Sequence, residues 1–525
     1  MLGPYEGDPI MKLRHALMSA VFAAAALVPP AMAAPKTDLI VGMAAQDVGK
    51  LDPHLAVSTI DRTVVAWLFN GLVRFKPGSM SPADIEADLA ESWDASPDKK
   101  IWTFKLRHGV QFHGGYGEMT ADDVVISLAK AGDAKRSASS GDFASFEKVE
   151  ALDPYTVRIT LKQTVPSLLG IITNYGGGFI VSRKAVEALG DKFAAAPIGT
   201  GPFAFAANTP NQSLELVAHK AYFRGTPKLE KISYRFLPSN ASRDLAFQNG
   251  ELDLEFGNQD QTWVDRMKKQ PGAIVDVFEP GEEAILHLNQ AQKPLDDLRV
   301  RQAIAHAINR PEILKFQGAD VSRTPGSVIP IGNLGYIDAG LPQYDVAKAK
   351  ALLAEAGYKD GLTLKVVHTQ LPNMLAQMQV VQAQLKRAGI NLDLQVVEHA
   401  TFHQMIRQDL SAIVFYSAAR FPVADVYLSQ FYHSRGTVKT PTAVANFSHC
   451  NAADSEIDAA RTEPDGSKQI ALWQTAQKKI VAQMCAVPLI ETLQAWVHKD
   501  SLVYGYDLKG SLSLGPLITE QTHFK

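Results

Sequence analysis

LAESWDASPDKKIWTFKLRHGVQFHGGYGEMTADDVVIS, residues 89–127, holds three elements in strict order. From Ile101 to Arg107 apolar and polar side chains alternate, the period of a strand with one buried face. His108-Gly109 and His113-Gly114-Gly115 supply turns. Thr120 to Asp123 then predicts a helix start, because a threonine oxygen can cap free N–H groups and the two aspartates oppose the helix dipole. None of this is reactive chemistry. The stretch speaks about architecture.

Upstream, the chain predicts export. Lys12 and Arg14 precede an apolar run from Ala16 to Val28, and Ala31-Met-Ala33 offers the small residues of a cleavage site. That run is too short to span a bilayer. With no cysteine at the cleavage point, lipid attachment is not expected, and the periplasm is the expected compartment. Residues 1–33 are therefore an upstream extension and signal peptide. A net charge of −3 argues against nucleic acid or an anionic membrane as the main partner. The 525 residues imply two or three domains. Cys450 and Cys485 leave two readings open, a disulfide or two buried thiols.

Strand and helix patterns alternate along the chain, which predicts α/β lobes. Asp38–Met43 reads as a first strand, Thr63–Asn70 as a helix, and residues 149–161 as a strand pair around Asp153-Pro154. Segments 214–219 and 231–237 alternate as strands. The clearest unit is a strand at 362–367, a helix through Leu375, Met378, Val381 and Leu385 ended by Gly389, and a strand at 390–396. That order predicts a right-handed crossover with parallel strands. Ligands in such sheets sit beyond the carboxyl ends of strands, which directs attention to His368-Thr369-Gln370.

These pieces, in this order, resemble the extracytoplasmic solute-binding proteins of the peptide/nickel/opine class (family 5), which serve ABC importers. Besides 89–127, the resemblance rests on Ile198-Gly-Thr-Gly-Pro-Phe203, Tyr222-Phe-Arg-Gly-Thr-Pro-Lys228, residues 294–304, residues 345–358 and Ala424-Asp-Val-Tyr-Leu428. It implies a type II periplasmic-binding-protein fold of two α/β lobes with an extra domain inserted in the first. The first lobe is expected at 34–70, 180–278 and 495–525, the inserted domain at 71–179, and the second lobe at 279–494. It also implies a monomer that closes on a small solute and is recognised by membrane permease subunits.

In dipeptide-binding relatives an aspartate takes the peptide ammonium and an arginine its carboxylate. Here the aspartate position falls at Arg420 and the arginine position near His368. An arginine repels an ammonium and suits a carboxylate. The expected cargo is thus a short or modified peptide, an opine-like compound or another carboxylate-bearing molecule. Alternatives are a nickel or metal-chelate binder of the same family, or a periplasmic chaperone or signalling receptor on the same fold. Tyr175, Tyr416 and Asp425 complete the candidate ligand set, although Asp425 could instead be a structural partner of Arg420. His399 and His403, beside Glu398, have i, i+4 spacing for a divalent ion, but a solvated pair is the commoner meaning, and no metal or cofactor is expected. No nucleophile elbow, zinc-protease helix, P-loop or C-x-x-C pair is present, so the chain is not expected to be an enzyme.

Overall fold

The computed structural model describes residues 1, 3 and 36–525, apart from 57, 166–167, 174–175 and 440–444. The expected signal segment and Tyr175 lie outside these residues. Among them, one sheet of nine strands runs through the molecule in the order 413–418, 273–288, 486–499, 254–256, 38–43, 231–236, 213–218, 203–209, with 322–323 joined to 486–499. Asp38–Met43 is parallel to Lys231–Phe236 and to Leu254–Phe256.

Two strands in this sheet are unusually long. Ala273–Leu288 and Ala486–Lys499 pair antiparallel from Ala273↔Lys499 to His287↔Ala486. Phe278 and Trp496 pack in one hydrophobic core with Leu39, Val41, Trp67, Phe203 and Tyr234. A few residues on, Ala284, Ile285, Leu489 and Ile490 belong to another core, with Ile304, Val366, Leu385 and Phe415. The ladder shifts register between these cores, at Phe278/Glu282. Pro280 cannot donate to a ladder, and Gly281 lies so close to Glu491 that a Cβ would fall 2.1 Å from Oε1.

A third core gathers Leu72, Phe104, Phe112, Val124, Val157 and Ile159. Its four-stranded sheet has the order 90–95, 101–106, 156–161, 146–153. The strand Ile101–Leu106 and the helix Ala121–Ala131 lie where the opening stretch predicts them. Asp123 caps two helices: it accepts from the Thr120 N–H at 2.9 Å and from the Arg183 N–H, also at 2.9 Å.

The crossover unit is present as well. Leu362–Thr369 and Ile390–Val397 are parallel, joined by the helix Pro372–Arg387. The first helix differs from expectation, spanning Thr59–Leu68 because Ser58 accepts from the Asp61 N–H and starts it four residues early.

Cys450 and Cys485 are fully buried and joined as a disulfide, with Cα atoms 5.7 Å apart. The bridge ties the loop after Asn446 to the start of the strand Ala486–Lys499. For a sequence separation of 35 residues, chain entropy assigns it about 3–4 kcal/mol. Replacing both cysteines by serine is expected to lower the denaturant midpoint accordingly. An unchanged midpoint in urea unfolding followed by circular dichroism would refute that contribution.

Candidate ligand-binding cleft

The segments that carry the family resemblance act mainly as clasps. His113 accepts the Gly199 N–H at Nδ1 (3.3 Å) and donates from Nε2 to the Gly201 carbonyl (2.9 Å). Gly199 and Gly201 press against the end of the helix Thr59–Leu68, where a Cβ at either would fall within 2.5 Å of the Leu68 backbone. Arg224 donates to Asp88 Oδ1 at 3.0 Å and to the Ala87 carbonyl, while Arg107 donates to the Asp88 carbonyl. Lys130 bridges both carboxylate oxygens of buried Asp52, at 2.6 and 2.7 Å. These contacts fix the 72–180 region onto its neighbour and commit His113 and Arg107 of the signature to structural partners.

The cleft lies where the long strands pass between cores. Its floor presents Glu282, whose Oε1 lies 3.5 Å from Gln494 Nε2. Burial pushes the Glu282 carboxyl up, opposed by Gln494 and by the positive charges of Arg420 and Arg62. Those arginines come from opposite walls. Arg62 projects from the helix Thr59–Leu68 into a cavity of about 930 Å³, including solvent at its mouth, that also meets Asn70, Arg74, Tyr222 and Ser511. Across the cleft Arg420 follows the strand Ile413–Ala418. Its Nε donates to Gln430 at 2.9 Å, its Nη1 to the Ala419 carbonyl at 2.9 Å, and its backbone N–H to Tyr427 Oη at 2.7 Å. The guanidinium stands 5.4 Å from the Phe431 ring centroid. A half-buried cation held at this many points needs little reorganisation to meet an anion. Near one mouth the walls touch, with Phe75 and Phe421 ring centroids 5.7 Å apart.

The remaining sequence candidates occupy different places. Tyr416 is half-buried, with ring centroids 5.9 Å from Phe431 and 5.2 Å from Phe447, on the same aromatic surface as Arg420. His368 is fully buried, edge-on to Phe415 at 5.4 Å. Burial holds its pKa down, with the Met374 backbone opposing. Asp425 pairs with Arg461 at 3.6 Å and with Ser429, and lines a separate groove facing Thr164 and Ile171. Arg461, rather than Arg420, is therefore its ionic partner. Thr173 and Gly176, on either side of Tyr175, line the first cavity. His399 and His403 meet ring to ring on the helix His399–Arg407.

Sequence reasoning passed over Arg62, Glu282 and Gln494. A signal existed for Glu282, since Glu282-Glu283 directly precedes the apolar run Ala284-Ile-Leu286 of one strand, and carboxylates beside such runs mark special environments.

Residues 84–439, more than half of the chain, match the model of the bacterial extracellular solute-binding proteins, family 5 middle. Among solved structures, MoaA of A. tumefaciens R10 in complex with mannopinic acid is 55% identical, with a TM-score of 0.86 over 93% of this chain and 100% of that one. AgaA of the same strain, in complex with agropinic acid, is 25% identical, with a TM-score of 0.79 over 93% and 99%. The glutathione-binding protein GsiB of Escherichia coli K12 is 28% identical over 86% of this chain and 88% of its own. The chain belongs to family 5. It is a periplasmic solute-binding protein of the peptide/opine/nickel class with the two-lobed type II architecture, and its family implies a cognate ABC permease.

The platform under Arg420 has a titratable support. His287, on the strand Ala273–Leu288, is 5.7 Å from Phe431 and 5.8 Å from Tyr432, and burial drives its pKa down to about 3 from the usual 6.5. The unfolded chain therefore binds the extra proton between those values. The contribution of neutral His287 is complete above pH 6.5 and lost as pH falls toward 3. His287→Phe is expected to remove up to one proton from this uptake. The acid-side stability slope should flatten by as much as about 1.4 kcal/mol per pH unit. Urea titrations between pH 7 and pH 4 measure the slope, and one identical to wild type would contradict a buried neutral imidazole.

Proposed function

We propose that this family member captures an opine-type acid between its lobes, with Arg420 as the main carboxylate anchor and Arg62 as its counterpart on the opposite wall. The observation that carries the reading is that these two cations, from different elements, both act on the buried Glu282 carboxyl. Burial pushes that carboxyl toward its neutral form, so an entering carboxylate supplies negative charge beside two guanidinium groups. Arginine's planar fork matches a carboxylate with two parallel hydrogen bonds. The full-length similarity to a protein bound to mannopinic acid supports the same class of cargo. In this reading Tyr416 lines the ligand's apolar side, and Glu282 and Gln494 take its amine or hydroxyl groups. His368 and Asp425 contribute as supports of the second-lobe wall, and Tyr175, outside the described residues, is proposed as a further ligand contact.

The proposed lobes are 34–70, 180–278 and 495–525 for the first, 71–179 for the inserted domain and 279–494 for the second. Three of the four hydrophobic cores among the described residues broadly follow that partition, while the fourth joins Val321 to Phe247, Trp263 and Val497 across it. We further propose export by a cleaved signal without lipid, and a monomer that meets its permease in the closed, ligand-loaded form.

Calorimetry with mannopinic acid, preceded by mass spectrometry of solute released on denaturation, tests the assignment. Arg420→Ala is expected to weaken binding by about 30-fold or more, the usual cost of removing one partner of a buried charge pair. Circular dichroism should stay unchanged. Affinity within a few-fold of wild type in a folded Arg420→Ala protein would sink the anchor role. A free dipeptide recovered as the native solute would sink the ligand class.

A further inference from the structure

The helix His399–Arg407 carries two imidazoles that the solute reading does not use. The ring centroids of His399 and His403 are 4.5 Å apart, and their Nε2 atoms approach to 3.2 Å. We propose that His399 and His403 form a site for a borderline divalent transition-metal ion, of the Cu²⁺ or Zn²⁺ type, bound through both Nε2 atoms.

Geometry is the first support. An ion bonded to both nitrogens at about 2.0–2.1 Å would subtend an angle of about 100° across a 3.2 Å separation, close to tetrahedral. Without an ion the same contact is an N–H···N hydrogen bond, and binding an ion through both Nε2 atoms moves the His403 ring proton to its Nδ1. A second support is the contact behind His399. Its Nδ1 lies 3.0 Å from Thr369 Oγ1, at the end of the strand Leu362–Thr369. That oxygen also accepts from the Leu371 N–H at 3.3 Å, which fixes its position in the turn. With Nδ1–H donated to the hydroxyl, the lone pair of His399 points from Nε2 toward His403. Metal-bound histidines are commonly oriented this way.

Packing holds the rings in place. His399 stacks on Phe402 with centroids 6.2 Å apart, and His403 lies 5.4 Å from Phe402 and 6.0 Å from Tyr416. Both histidines are half-buried, which fixes their rotamers while leaving an approach from solvent. Among the described residues no group of three or more His, Cys, Asp or Glu is assembled for a metal. The remaining coordination positions therefore belong to water or to an oxygen of a small acid. Imidazole nitrogens select Cu²⁺, Ni²⁺ and Zn²⁺ over Mg²⁺ and Ca²⁺, which require oxygen shells.

Calorimetric titration of the tag-free protein with CuCl₂ and with ZnCl₂ at pH 7.5 tests the site, with MgCl₂ as the control. One site per chain is expected for Cu²⁺ and Zn²⁺, tighter for Cu²⁺, and none for Mg²⁺. His399→Ala and His403→Ala should each weaken binding at least tenfold, and electron paramagnetic resonance of the Cu²⁺ form should show two imidazole nitrogens. Undiminished binding by a folded double variant, or no binding by wild type, overturns the proposal. Should the alanine variants unfold, protection of His399 and His403 in the wild-type protein from diethyl pyrocarbonate by Zn²⁺ decides the matter. Equal modification with and without the ion would count against the site.

Discussion

Two strands, Ala273–Leu288 and Ala486–Lys499, must be core in both lobes, and everything about the cleft follows from how they pass between cores. A continuous apolar ladder would cement the lobes together. Instead the ladder is broken by Glu279-Pro280-Gly281 and turns polar at Glu282, Glu283, Glu491 and Gln494. Glu283 stands directly opposite Glu491, and burial and the neighbouring negative charge raise its pKa well above the carboxylate range. The fold accommodates the pair by leaving Glu283 its proton and giving Glu491 a cation, Arg323, at 2.5 Å. Arg323 also holds Glu279 at 3.0 Å, so one guanidinium staples the bulge that lets the strands change lobes. Such a buried group is retained for the register it imposes more than for net stability. The same polar interruption places Glu282 on the floor of the cleft.

The signature segment has its place in this frame through contacts at the other end of the molecule. His113 between Gly199 and Gly201, Arg224 on Asp88, and Lys130 on Asp52 each join residues that are distant in sequence. Each buries a polar group that would be costly unpaired. His113 and Arg107 are committed to such contacts rather than to a solute.

That division explains what the sequence made legible. Strands such as Ile101–Leu106 and the crossover unit at 362–397 were readable because a single buried face imposes a period of two or 3.6. His368 shows where periodicity runs out. The strand Leu362–Thr369 alternates over its first half and is buried at all of its last four positions, so alternation cannot tell which face His368 takes. Arg420 was reachable because it lies on an ordered series of family segments. Arg62 and Glu282, 220 residues apart, meet only through the tertiary fold, and no local pattern links them. The Asp425–Arg461 pair was missed for the same reason, since an ionic partner on another helix leaves no trace in the spacing around Asp425.

Arg420 offers more than one isolated charge. The guanidinium lies on Phe431, which rests against His287, and its Nε is held by Gln430. A flexible lysine in that place would have to order four methylenes before it could bind, whereas Arg420 has already lost that freedom in the fold. A preformed, half-buried cation is unfavourable unless an anion faces it. Arg62 and Arg420 favour ionisation of the Glu282 carboxyl, but burial outweighs them and leaves its pKa raised. In the proposed reading, a solute carboxylate entering between the arginines supplies the negative charge that a neutral Glu282 does not. An ammonium in the same position would add to an excess of positive charge. On that reading, preference for acids over free amines comes from the floor and both walls, not from Arg420 alone.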